Sequence, residues 1–407
     1  MKEICIINYN SKAAIYGIGT YIKEYISCLR KIGCRINLIE LGTDSATNEF
    51  YIKEEGNIRK IYIPNIHNGM YEKFNKSVCR MLRMYIEDSE NLVFHFHYTQ
   101  SDSLLELIKK HFPLSKSVIT IHYLSWSAPL QGNSALFEKI ISKQENEKIK
   151  KEYNNIIDNY NKEKAFVEKA DHIICLSKDT FDLMNNLYLI KSKMWLIPNG
   201  LSNQKRILSE KERIKLREKF YINPHEKVLL FVGRIDSIKG IYLLTSCFEN
   251  VVKNYLDCKL VIIGDGNINE AIKKCKNVYS KMLFTSKLDK QTLYQWYQIA
   301  EIALFPSFYE ECSYVGIEMM MHGLPVVASD GYSVKNMFHD GVNAKIAKIG
   351  NQKRPKEFET NLKNAILELL NSESLCKQLS KGAKQTYKSC YTISKMQEGY
   401  MKMFNSL

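Results

Sequence analysis

No stretch of about 18 uninterrupted apolar residues occurs in these 407 residues, so no membrane-spanning helix is expected. The eleven cysteines contain no Cys-x-x-Cys pair and lie scattered through strand-like and helix-like segments. That pattern excludes a zinc ribbon or a disulfide framework and suits reduced thiols in a cytoplasm. No low-complexity segment is present, and the 45% hydrophobic and 25% charged residues are globular values. The opening Met1-Lys-Glu-Ile-Cys-Ile-Ile-Asn8 is too brief for a signal h-region and has no small-residue cleavage site after it, so it reads as a first buried strand. There is also no Asp-x-Asp, a pattern that would hold a divalent metal beside a phosphate.

What is present in excess is positive charge. The net +14 divides unevenly, with 27 Lys+Arg against 23 Asp+Glu in 1–200 and 31 against 21 in 201–407. No Lys/Arg run interleaved with aromatics resembles a nucleic-acid module, so no nucleic acid is expected as a partner. The excess fits a lysine-rich surface, anionic small substrates, or at most weak, salt-sensitive contact with anionic lipid at the inner membrane face.

The length favours two domains. Apolar runs at Ile4–Ile7, Ile36–Ile39, Ile58–Ile63, Leu92–Phe96, Ser117–Ile121 and His172–Leu176 alternate with helical patterns such as Gly19–Lys31 and Ser101–His111. The segment from Ser134 to Ala170 reads as one or two long helices. After Pro198-Asn199-Gly200 comes a polar stretch, Ser202 to Glu218, and then a second series opens: Val228–Val232, Lys259–Ile263, Met282–Phe284, Ile302–Phe305 and Val326–Ala328. Strand and helix in alternation predict parallel sheets. The expected fold is therefore α/β, with two doubly wound Rossmann-like domains facing across a cleft. The first domain is expected over 1–200, joined by a C-terminal helix within 388–407, and the second over 201–387.

Three segments carry chemistry. Gly17-Ile-Gly19-Thr-Tyr21 precedes the first helix, where two glycines let backbone amides approach a phosphate. A dinucleotide fingerprint is the rival, with Glu40 near the spacing of its ribose acid, but Ile22 replaces the third glycine and the strand ends about eight residues too early. A plain helix-capping turn is also open. The strand Val228–Val232 runs into Gly233-Arg-Ile-Asp-Ser-Ile-Lys-Gly240, putting Arg234 and Lys239 at a strand's carboxyl end, where a fork and a point charge suit a diphosphate. Finally, Glu310 and Glu318 are separated by seven residues around a helix start near Ser313, and Gly323-Leu-Pro-Val-Val-Ala328 follows.

These motifs, in this order, resemble a large family of retaining nucleotide-sugar glycosyltransferases that includes sucrose-phosphate synthase and bacterial envelope mannosyl- and N-acetylglucosaminyltransferases. The matching parts are the Glu-x7-Glu pair, the Gly-Leu-Pro-Val-Val-Ala segment, the Gly-Arg…Lys-Gly loop with one residue fewer, Pro198-Asn199-Gly200 and Gly17 to Tyr21. The resemblance covers nearly the whole chain. It implies a GT-B architecture and metal-independent transfer, with retention of configuration, of a sugar from a nucleoside-diphosphate donor (UDP-, GDP- or ADP-linked) to an acceptor hydroxyl. The acceptor class would be a glycan, a lipid-linked sugar, a peptide or a small molecule, and no further cofactor is implied.

Residue by residue, it implies that Arg234 and Lys239 hold the diphosphate, Glu318 the ribose, and Glu310 the transferring sugar. The amides of Ser313 and Tyr314 and the Gly17–Gly19 loop would complete the phosphate cradle, Asn199 would lie by the donor, and His122 beside the donor sugar. The usual Glu-Gly-Phe-Gly is here Glu310-Glu311-Cys312-Ser313, so Glu311 and Cys312 are expected to border the sugar pocket.

Rival chemistries leave distinct signs. A glycoside hydrolase needs carboxylates about 5–10 Å apart, whereas eight helical residues separate backbones by about 12 Å. A phosphorylase would need a cofactor-linked lysine, and none is identified. An epimerase would convert donor without acceptor, and a silent sugar-nucleotide binder would leave it intact. His95 and His97 share one face of a strand, which suits a metal, but no third ligand is evident and a structural role is expected.

Overall fold

The computed structural model describes residues 1–9, 17–43, 50–64, 71–97 and 102–407. The chain divides into two compact units: 1–126, 136–200 and 393–407 form the first, and 127–135 with 201–392 the second. The second unit thus runs on to Thr392 where 387 was expected, and it takes in 127–135, of which only Ser134 and Ala135 belong to the segment read as helical. Among the described residues no helix is long and apolar enough to cross a membrane.

In the first unit, β1 (Glu3–Tyr9), β2 (Arg35–Thr43), β3 (Tyr51–Glu55), β4 (Ile58–Pro64), β5 (Leu92–Phe96), β6 (Lys116–Ile121), β7 (His172–Cys175) and β8 (Lys193–Leu196) make a sheet of order β3-β4-β2-β1-β5-β6-β7-β8. Every pair is parallel except the β3–β4 hairpin. The central strands are continuous apolar runs because helices cover both faces of a parallel sheet. The long segment resolves into two helices, Ser134–Ser142 and Glu147–Glu168. The second is started by Asn146, whose side chain accepts from the amides of Lys148 and Ile149.

In the second unit, β9 (Lys227–Val232), β10 (Cys258–Ile263), β11 (Met282–Thr285), β12 (Ile302–Phe305), β13 (Val326–Ser329) and β14 (Lys345–Ala347) form an all-parallel sheet of order β11-β10-β9-β12-β13-β14. The helix Ile241–Asn254 lays Ile241, Leu244, Cys247, Phe248 and Val251 on this sheet at helical spacing. Each large apolar side chain so buried contributes about 1.5–3 kcal/mol. The polar stretch Ser202–Glu218 is not wholly irregular. It contains most of a helix, Glu210–Lys219, which buries no residue and is started by a capping box between Ser209 and Glu212.

The strand order reverses between β1 and β5 in the first sheet and between β9 and β12 in the second. At such a point neighbouring crossovers leave on opposite faces, opening a crevice at the carboxyl ends of the strands where ligands bind.

Candidate active site

The crevice of the second unit is shaped by the loop after β9. Asp236 Oδ1 accepts the Lys239 amide at 3.1 Å and starts a short 3-10 turn, Ser237–Lys239. Gly240 then takes φ +69°, and a Cβ there would lie 2.1 Å from the Pro306 carbonyl oxygen. Only glycine lets this loop sit directly on the backbone leaving β12. The close approach aims Lys239 at the next segment, where its Nζ meets Glu310 Oε1 at 2.6 Å. Glu310 is itself fixed, donating its amide to the Tyr332 carbonyl at 3.1 Å. Arg234 reaches Asp236 Oδ2 at 3.1 Å but keeps 55% of its side chain exposed, so it can turn toward an anion without leaving a buried partner behind.

The helix Tyr314–His322 begins at Ser313, whose hydroxyl accepts the Gly316 amide. The Ser313 amide donates to Met337 Sδ at 3.3 Å, a weak acceptor that an anionic oxygen would outcompete. One turn on, Glu318 is buried. Its carboxylate pairs with the Lys290 ammonium and accepts from Tyr297 OH at 3.0 Å. Burial raises the Glu318 pKa above its ordinary value, while Lys290 and Tyr297 pull it back down. His322 donates Nδ1–H to the Glu318 carbonyl at 2.9 Å, and burial depresses its pKa to about 4. The neutral ring packs against Tyr297 at 5.0 Å and helps hold that phenol on the carboxylate.

Glu311 and Cys312 are buried, and Tyr309 OH donates to the Glu311 carboxylate. The Tyr309 ring stacks on Tyr332 at 5.1 Å. The second unit therefore brings together Arg234, Lys239, Glu310, Ser313, Tyr314 and Glu318 around the ends of β9 and β12.

The remaining residues named from sequence lie in the first unit. Gly17 and Gly19 are in the opening turn of the helix Gly17–Ile32, and Tyr16 lies outside the described residues. His122 directly follows β6, with Tyr21 of that helix packed edge-on against it at 4.6 Å. Burial depresses the His122 pKa to about 3, so the ring is neutral at physiological pH. Asn199 is buried, and the amide of its neighbour Gly200 donates to Met396 Sδ of the last helix, Ile393–Phe404. His95 and His97 do share a face, their rings 4.2 Å apart. His95 is held by Tyr25 OH at 2.8 Å and Thr120 Oγ1 at 2.7 Å, hydrogen bonds that give it a structural role. Among the described residues no cluster of three or more His, Cys, Asp or Glu is arranged to hold a metal.

Comparison with known proteins identifies the family and the fold. Residues 15–205 match the model described as Glycosyltransferase Family 4, and residues 212–386 match the one described as Glycosyl transferases group 1. The chain belongs to the glycosyltransferases of GT-B fold. An alpha-monoglucosyldiacylglycerol synthase from Streptococcus pneumoniae is 28% identical over 183 residues, covering 44% of this glycosyltransferase and 41% of the relative. Alignments to this and two other curated relatives span 35 to 47% of those proteins' own lengths, and others reach as far as 85%. Sucrose-phosphate synthase from Thermosynechococcus elongatus superposes with a TM-score of 0.77 at 18% identity, covering 100% of this chain and 99% of its own. Anabaena HepE in complex with UDP and glucose does so at 0.72 and 14%, covering 100% of both chains. At these identities the superpositions speak to the fold.

Sequence reasoning missed Lys290, Tyr297 and His322 as companions of Glu318. Only His322 had a local signal, four residues beyond Glu318 on the same helix face.

Proposed function

We propose that this glycosyltransferase moves a sugar from a nucleoside-diphosphate donor to an acceptor hydroxyl, with retention and without a metal. The observation that carries the reading is the Lys239–Glu310 pair at the switch point between β9 and β12, with Arg234 beside it and Glu318 one helical turn beyond Ser313.

In the reaction the anomeric carbon–oxygen bond of the donor breaks and both electrons leave with the diphosphate. Lys239, Arg234 and the helix start at Ser313 offset the charge that develops there. Their two cations do the work a divalent ion would do in a site lacking them. The acceptor oxygen bonds to the anomeric carbon on the face the phosphate leaves, and its proton passes to the departing phosphate oxygen. Glu310 loses its share of Lys239 as the diphosphate arrives, and its carboxylate is then available to the sugar hydroxyls. Glu318 receives the ribose hydroxyls, and His122 of the first unit lies beside the sugar. The amides of Ser313 and Tyr314 and the helix start at Gly17 and Gly19 contact the phosphates, with Asn199 close to the donor. Suitable acceptors are a glycan, a lipid-linked sugar, a peptide or a small molecule. The basic second half supports weak contact with anionic membrane and no more.

Calorimetry with UDP-, GDP- and ADP-sugars in EDTA tests the donor and the metal together. Binding of one of them in chelator, and a product of unchanged anomeric configuration by proton NMR, is the expected result. Binding that appears only on adding magnesium would overturn metal independence, and an inverted product would overturn retention.

A further inference from the structure

His97 directly follows β5 and His122 directly follows β6, the neighbouring parallel strand. The turn off each strand brings His97 Nδ1 to 3.2 Å from His122 Nε2. Burial depresses both pKa values, so each ring is neutral near pH 7 and carries one N–H. A single proton must then lie between the two nitrogens, and its direction decides which nitrogen of His122 remains to meet a ligand.

We propose that His97 is a positioning residue that donates its Nδ1–H to His122 Nε2 and so fixes on His122 the tautomer with its proton on Nδ1. The surroundings of His97 set the direction. Its other nitrogen, Nε2, is buried and has no hydrogen-bond partner among the described residues. If His122 were the donor, the proton of His97 would sit on that Nε2, a stranded donor costing about 1–3 kcal/mol. A buried N–H without an acceptor is rarer than an under-used lone pair.

Among the described residues the adjacent acceptors are already engaged. Both His95 nitrogens are taken by Tyr25 and Thr120, and Tyr21 OH is taken by Thr120 and Tyr400. With His97 as donor, Nε2 is a bare lone pair among aromatic rings, Tyr21 at 5.1 Å and Tyr25 at 5.8 Å. His122 is thereby left as a neutral hydrogen-bond donor through Nδ1, able to serve an oxygen of the donor sugar. That last step rests on the proposed function, whereas the tautomer does not.

The test uses 15N-histidine-labelled full-length protein with two variants, His97→Asn and His97→Phe. The asparagine amide occupies the place of imidazole Nδ1 and can donate along the same line. Long-range 15N–1H spectra are expected to show His122 protonated at Nδ1 in the unsubstituted protein and in His97→Asn. In His97→Phe the proton is expected to move to Nε2. Turnover of nucleotide sugar should fall about tenfold in His97→Phe with donor KM little changed, and recover in His97→Asn. Retention of the Nδ1 proton in His97→Phe, or an Nε2 proton in the unsubstituted protein, would overturn the proposal. A tautomer shift with normal turnover would uphold the positioning by His97 and remove His122 from the donor sugar.

Discussion

Replacing Glu318 by glutamine separates donor recognition from stability. The carboxylate is buried, and burial raises its pKa, so the charged form is a cost to the folded state. With the folded pKa above the unfolded value, the native protein holds the extra proton in the window above the ordinary carboxylate pKa of 4.5, and stability falls as pH rises through it. A neutral amide has no such cost. The substituted side chain would still offer Tyr297 an acceptor, and Lys290, 46% exposed, can return to water. The change in folding stability at pH 7 should therefore stay within about 1 kcal/mol of zero.

Donor affinity should respond differently to that substitution. Two ribose hydroxyls donating to a carboxylate, each stronger by about 1 kcal/mol than to an amide, represent about 2 kcal/mol, or about thirtyfold in Kd. Titration calorimetry with the free nucleoside diphosphate, paired with thermal unfolding of the same samples, reads both quantities. An unchanged Kd would refute the ribose assignment, and a parallel collapse of Kd and melting temperature would make Glu318 a structural residue.

The other substitutions at the site divide in the same manner. Arg234→Ala and Lys239→Ala should each slow turnover well over tenfold, but only Lys239→Ala should lower the melting temperature, since it leaves the nearly buried Glu310 unpaired while Arg234 is half exposed; normal kinetics in both would place the phosphate elsewhere. Glu310→Gln should cut transfer strongly while nucleoside diphosphate affinity holds or rises, because Lys239 loses its competing partner. If calorimetry found diphosphate binding lost in Glu310→Gln and only turnover lost in Glu318→Gln, the two roles would have to be exchanged.

The central strands and the loops at their ends were legible in sequence for one physical reason. A parallel strand covered on both faces must be apolar throughout, and the chemistry follows directly at its carboxyl end. Thus β5 was readable to the residue, and the loops at Gly233 and Glu310 could be placed before any coordinates. The strands that escaped lack that burial. β3 is an edge strand with the sequence Tyr-Ile-Lys-Glu-Glu, β8 is half exposed, and β14 has three residues. The side chains that complete the site escaped because their partners are distant along the chain. Lys290 lies 28 residues from Glu318, Tyr297 lies 21 residues away, and 25 separate His97 from His122. Local pattern carries no trace of such pairs. His97 was expected to be structural because no third metal ligand was visible, yet its hydrogen bond runs to the one histidine assigned to the sugar.

Both glutamates of the motif are held by a lysine in the structure, Glu310 by Lys239 and Glu318 by Lys290. The two pairs differ in where the freed charge can go. Lys239 and Glu310 are both largely buried, at 20% and 10% exposure, so neither can simply dissolve into water when the pair opens. Under the proposed function an incoming diphosphate would solve this for Lys239, and the sugar hydroxyls would solve it for Glu310, if both arrive on one molecule. A free nucleoside diphosphate satisfies the lysine alone and leaves the carboxylate without a partner. Under the proposed function the intact donor would therefore have an advantage over its own product that arises from Glu310, whereas Lys290 is exposed enough to yield Glu318 to the ribose of either. Under the proposed function, product release would be favoured by the same ion pair closing again behind it, giving Lys239 a part in turnover distinct from its part in stabilising the leaving group.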